Sequence, residues 1–171
     1  MKWLNLALSA VIAAAAFVAV RYVSYTPVRC NDIAVNVGGQ LTNLLNRSDQ
    51  VMVTVVTREN LARLEPCRRK VPWNVNVHML TAANYSVRDM HEEAVREYRE
   101  ALRYDRRPEI YLGLGTELVK AGHVDEAIQP LTIAYSINKD FIYEITNQDI
   151  QARVMAAEQN VILPIRPDES R

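Results

Sequence analysis

Small and apolar residues recur at helical spacing through the middle of the chain. Ala94, Tyr98, Ala101 and Leu102 stand at i, i+4, i+7 and i+8, the stripe of a helix with one buried face. Over 75–140 the pattern predicts A helices at about 75–88 and 109–121, and B helices at about 91–104 and 124–138. It is written twice without gaps, at an offset of 127 − 94 = 33 residues. Ala94 aligns with Ala127, Ala101 with Ala134, Ala82 with Gly115, Tyr85 with Leu118, Tyr98 with Leu131 and Asp105 with Asn138. Gly122 punctuates the second A–B turn, and Asp89 stands at its counterpart. Asp125 and Glu126 put acid in a first helical turn, where the helix dipole favours it. Small residues at 82, 94, 101, 115, 127 and 134 let helices approach closely. Such a hairpin cannot bury its apolar face alone, so it must stack on neighbours.

These residues resemble the tetratricopeptide repeat family. The first copy, 75–107, matches at Ala82, Tyr85, Ala94, Tyr98 and Ala101. The second, 108–140, matches better, at Tyr111, Leu114, Gly115, Leu118, Gly122, Ala127, Leu131 and Ala134. His78 and Thr81 depart from the pattern where the family has large apolar side chains, and Arg106 and Lys139 replace its closing proline. Pro130 falls early in the second B helix, where it should bend the chain or remove a hydrogen bond. The resemblance implies an all-α fold of stacked helical hairpins, an α-solenoid, whose A helices line a protein-binding groove. The implied groove positions are Asn76, Met79, Leu80, Ala83, Ser86 and Val87, then Glu109, Leu112, Gly113, Thr116, Val119 and Lys120. Family members that read chaperone tails carry a basic carboxylate clamp across two A helices. Here those positions hold Met79, Ala83, Glu109 and Gly113, so the clamp is absent. The implied partner is an apolar helix or extended segment. The rival reading fills the groove with the chain's own 31–64 segment or tail.

Leu4–Val20 is apolar and uncharged. Its seventeen residues span roughly 25 Å as a helix, the lower limit for a bilayer. This predicts one N-terminal transmembrane helix within 1–25, with Trp3, Tyr22 and Tyr25 as interfacial anchors. The alternative is a cleaved signal peptide ending at Ala14-Ala15-Ala16.

Residues 28–70 hold the only cysteines, Cys30 and Cys67. A helical hairpin over Asn31–Asn46 and Asp49–Leu64 would set both just outside its open end, where a disulfide could close it. The alternative is two unrelated thiols. Gly38-Gly39 and the β-prone run 51–56 leave a short β-hairpin as a competing reading. A disulfide persists only in an oxidising compartment, which agrees with an exported domain. Arg68-Arg69-Lys70 reads as a solvated loop, or more sharply as a contact for anionic lipid headgroups. Phe141–Asn160 is expected to cap the last repeat with one face of Ile142, Ile145, Ile150, Val154 and Ala157, and Asp149 should pair with Arg153. The tail, 161–171, is charged and proline-containing, and disorder is expected.

Twenty basic and twenty acidic side chains balance, which argues against a nucleic-acid partner. No metal or cofactor motif and no catalytic constellation is found. His91-Glu92-Glu93 lacks the second histidine of a metalloprotease, and Gly113-Leu114-Gly115 lacks the third glycine of a dinucleotide loop. No small-molecule substrate is expected. The expectation is a non-enzymatic, membrane-anchored scaffold in a cell-envelope assembly, with its repeats on the periplasmic side of the inner membrane. The alternatives are a secreted protein, or a structural subunit recognised through its leader by the small-residue face of Ala10, Ala13, Ala14 and Ala16.

Overall fold

The computed structural model describes residues 2–21, 25–45 and 50–159. Among them the regular elements are all helical: α1 (Lys2–Val20), α2 (Thr26–Leu45), α3 (Gln50–Lys70), α4 (Val75–Ser86), α5 (His91–Ala101), α6 (Pro108–Lys120), α7 (Val124–Ile137), a 3-10 helix at Lys139–Glu144, and α8 (Gln148–Glu158). From α2 onward, successive helices pack on one another, and α2 also reaches α4.

α4 to α7 fall where the periodicity predicts helices. Their turns repeat at the same 33-residue offset. Asp89 and Gly122 both have positive φ, 57° and 88°. Asp is among the few side chains that tolerate that region. The Met90 amide donates to Tyr85 O as the His123 amide donates to Leu118 O, and Ala94 to Met90 O as Ala127 to His123 O. Asn74 caps α4, its side chain accepting from the Val77 amide, and Pro108 opens α6 at a position where it needs no N–H partner.

The small residues sit at the helix crossings. Ala82, Ala94, Ala101, Ala127 and Ala134 are wholly buried. A Cβ on Gly115 would fall within 3.0 Å of Leu131, a fully buried side chain of α7. One apolar core joins Val95, Leu114, Leu118, Ala127 and Leu131 to Ile145, Ile150 and Val154. Pro130 does not break α7, which runs on to Ile137 with the proline buried.

The described residues of 28–70, 28–45 and 50–70, are helical, and the β-hairpin alternative is overturned for them. Both helices are longer than expected, so Cys30 and Cys67 lie inside α2 and α3 rather than beyond their ends. Cys30, Ala34, Val37, Leu41 and Leu44 form a seam at alternating spacings of four and three, all buried. Thr57, Asn60, Leu64, Cys67 and Val71 form the matching seam. Seam packing overrides the strand propensity of 51–56, since propensity is the weaker term. The Cys30 and Cys67 sulfurs are bonded, at a Cα–Cα distance of 5.5 Å. Arg68, Arg69 and Lys70 belong to the last turn of α3, so the loop reading is corrected.

Two further expectations are corrected. The capping segment is not one helix: 3-10 backbone at Lys139–Glu144 precedes α8, which Asn147 caps by accepting from Asp149 and Ile150. Arg153 pairs with Asp125 of α7 at 2.6 Å rather than with Asp149, because α8 lies across α7.

Among the described residues no helix is long and apolar enough to cross a membrane. The transmembrane helix expected over 4–20 is not shown among them, and the side chains of 2–10 lie outside the described residues. Tyr22 and the side chain of Trp3 lie outside the described residues, as do the 161–171 tail and the expected helix end at Asn160. In α1, Val11, Ile12, Phe17, Val18 and Val20 are exposed.

Two stability tests follow from the packing. Gly115→Ala should destabilise by about 1–3 kcal/mol, since the new methyl meets an immobile core side chain. Gly39→Ala, with nothing within 4 Å of its Cβ, should stabilise by about 0.5–1 kcal/mol through helix propensity. Urea melts of the two variants should move in opposite directions. Reduction of the 37-residue Cys30–Cys67 loop should cost about 3–4 kcal/mol by the chain-entropy account, read in the same melts with and without reductant.

Candidate protein-binding groove

Hydrogen bonds from Arg107 to Asn76 and from Lys120 to Ser86 link α6 and its N-cap to α4, and the candidate strip is the set of groove positions on these two helices. Asn76, Met79, Ala83 and Ser86 come from α4, and Leu112, Thr116, Val119 and Lys120 from α6. Asn76 and Lys120 are exposed and the other six half-buried. Ten residues separate Asn76 from Ser86, so the strip is about 15 Å long.

Cations mark its two ends. The Arg107 guanidinium donates to Asn76 Oδ1 at 3.2 Å and lies 3.7 Å from Met79 Sδ, while Asp105 holds it at 2.6 Å. At the other end Lys120 donates to Ser86 Oγ at 3.2 Å and to Glu117 at 2.8 Å. Both therefore clip α6 to α4, and both stay over two-fifths exposed. Met79, Ala83, Leu112, Thr116 and Val119 between them are uncharged, and Glu109 stands exposed in the first turn of α6.

Two of the implied groove positions are occupied by the chain. Leu80 packs into the core beside the disulfide and lies 3.5 Å from where a Gly38 side chain would begin. Gly113 is covered by the Tyr98 ring, which would lie within 3.0 Å of any added Cβ. Burial pushes the Tyr98 phenol up to about 12, helped by the Glu117 charge. Glu109 is exposed and Val87 half-buried at the end of α4.

Two buried carboxylates hold the hairpins together. Glu117 accepts from Ser86 at 2.7 Å, faces His91 Nδ1 at 2.8 Å and pairs with Lys120. Burial pushes its pKa up, but the hydrogen bonds from Lys120, Ser86 and His91 and the Lys120 charge outweigh it, so the carboxyl lies below its usual value. Glu97 on α5 pairs with Arg68 of α3 through one oxygen and His78 Nδ1 of α4 through the other, the latter at 2.8 Å. His78 Nε2 is 2.8 Å from the Pro72 carbonyl. A carboxylate and a carbonyl are both acceptors, so this arrangement favours hydrogen on both ring nitrogens, the charged form of His78. Burial pushes its pKa down, but the Glu97 and Pro72 hydrogen bonds and the Glu97 and Glu100 charges raise it on balance. Tyr104 stacks on the ring at 6.4 Å. A cavity of about 550 Å³ opens here among Arg68, Arg69, Arg96, Glu65, Glu97 and Glu100, with both charge signs on its walls.

His78 is held in this network by Glu97 and the Pro72 carbonyl. Glu97 and Glu117 were not singled out in the sequence, where each reads as an ordinary helix-surface carboxylate. Among the described residues no three His, Cys, Asp or Glu side chains converge as a metal site would require. No protein-family model, no curated protein and no solved structure matches this chain.

The His78 shift sets a pH dependence. A raised histidine contributes fully below its unfolded value, near 6.5, and loses that contribution as pH rises through its folded value. Unfolding free energy should therefore fall from about pH 6 to about pH 9, and His78→Gln should flatten that fall. Urea melts at the two pH values test this. An equal fall in the variant would remove His78 as its source.

Proposed function

We propose that this protein is an extracytoplasmic, tetratricopeptide-like scaffold. Its α4–α6 strip binds an apolar helix or extended segment of a protein partner. The observation that carries this reading is the set of uncharged, half-buried side chains at Met79, Ala83, Leu112, Thr116 and Val119. Support for the repeat comes from the shared positive-φ turns at Asp89 and Gly122 and the small residues buried at matching positions. Support for export comes from the Cys30–Cys67 bridge, since such bonds are rare where thiols are kept reduced. The apolar side chains exposed on α1 favour attachment to a membrane of the cell envelope, with the helical domain on its outer side.

Photo-crosslinking tests the strip in the living cell. A benzophenone side chain at Leu112 or Thr116 should give a discrete adduct. The same group at Arg103, exposed elsewhere, should not. Met79→Glu should reduce the adduct about tenfold or more, because it buries a charge against an apolar ligand. Equal adducts at all three positions, or none at Leu112 and Thr116, would sink the reading. Replacing 1–25 by an unrelated anchor should leave the adduct in place, whereas its loss would assign recognition to the leader. Alkaline carbonate extraction then separates an integral leader from a peripheral or processed one.

A further inference from the structure

A cavity of about 490 Å³ opens where α1 gives way to α2, against the disulfide. Arg21, Arg29, Arg63 and Lys70 line it, and none of its lining residues is acidic. In a chain of zero net charge, four cations around one cavity with no carboxylate between them is an uneven distribution. Like charges held together are unfavourable unless something of opposite sign visits them.

The local partners do not neutralise this group. Arg63 donates to the neutral Gln40 amide oxygen at 3.2 Å. Arg21 lies over the Tyr25 ring at 5.6 Å, a cation–π contact that leaves its charge in place. Glu65, the carboxylate closest in sequence to Arg63, is held by Arg68 and Arg69 instead. Among the described residues neither Arg29 nor Lys70 has an acidic partner within ion-pair distance. The basic run 68–70 is thus split: Arg68 and Arg69 face Glu65, and Lys70 faces the cavity. The covalent bond between Cys30 and Cys67 fixes the spacing of the α2 and α3 walls.

We infer that this cavity binds a phosphate-bearing anion. Guanidinium groups match phosphate oxygens with paired N–H donors, and the lysine adds a point charge. The volume lies in the range of small-molecule sites and exceeds what a bare ion needs. Arg21 follows the last residue of α1, so the cavity lies at the root of the apolar leader. That position suits a lipid headgroup, and a soluble phosphate ester offers the same chemistry. The site is separate from the α4–α6 strip, so its failure would leave the scaffold reading intact.

The test uses the full oxidised chain in a neutral detergent at low salt. Inorganic phosphate and dihexanoylphosphatidylglycerol are titrated separately by calorimetry, with dihexanoylphosphatidylcholine as the zwitterionic control. At least one anionic probe should bind saturably and weaken as salt is added. Arg29→Gln with Lys70→Gln should weaken it about tenfold or more, Arg29→Lys should retain most of it, and Arg103→Gln should change nothing. Binding of the anionic lipid alone assigns a headgroup, and binding of phosphate alone assigns a soluble ester. No saturable binding of either, equal binding of the zwitterionic lipid, or indifference to the double substitution in a chain with an unchanged melt would overturn the inference.

Discussion

Ala82, Ala94, Ala101, Ala127 and Ala134 are shut off from solvent, and the Gly115 backbone lies against Leu131 with no room for a methyl group. These contacts set how near each helix comes to the next, and much else follows from that distance. Larger side chains fill the space beside each crossing, as Leu114, Leu118 and Leu131 do. Where a long side chain must cross a seam it lies flat, as Tyr98 does over Gly113. A packed interior of this kind leaves little slack, so a single added carbon is felt.

Close packing also determines what polar groups can do between the helices. Glu97 and Glu117 are almost fully buried. An ionised carboxylate in such a place is tolerated only with its oxygens bonded and its charge opposed. Glu97 meets that need with Arg68 and His78, drawing α3, α4 and α5 together. Glu117 meets it with Ser86, His91 and Lys120, drawing α4, α5 and α6 together. The two seams are specific as well as stabilising, because a slipped helix would strand a buried charge. Asn60 and Asn84 add a neutral link between α3 and α4, bonded at 3.1 Å, with Asn60 Oδ1 left without a partner.

The same architecture separates two surfaces of different chemistry. Arg107 and Lys120 clip the α4–α6 strip at its ends and leave its middle apolar or neutral. The α2–α3 hairpin, clamped by Cys30–Cys67, gathers cations at the foot of α1. One surface offers contact area and the other offers charge. Their different positions allow a chain of balanced charge to present both.

Periodicity alone was enough to locate α4, α5, α6 and α7, because each buries one stripe and the stripe survives in the order of residues. The turn at Asp89 was legible from its alignment with Gly122. A bridge between Cys30 and Cys67 was legible from counting, although not the placement of both inside helices. The four-and-three spacing of Cys30, Ala34, Val37, Leu41 and Leu44 was present in the sequence, but Gly38-Gly39 and the valines of 51–56 obscured it. On the partner helix, polar Thr57 and Asn60 occupied seam positions and hid the rest. The carboxylate networks and the cation cavity belong to tertiary structure alone. Their members lie 19 to 29 residues apart around Glu97, and from Arg21 to Lys70 around the cavity. Local pattern cannot report such pairings. A charged side chain looks the same on a solvated face as in a seam until the neighbouring helix is in place.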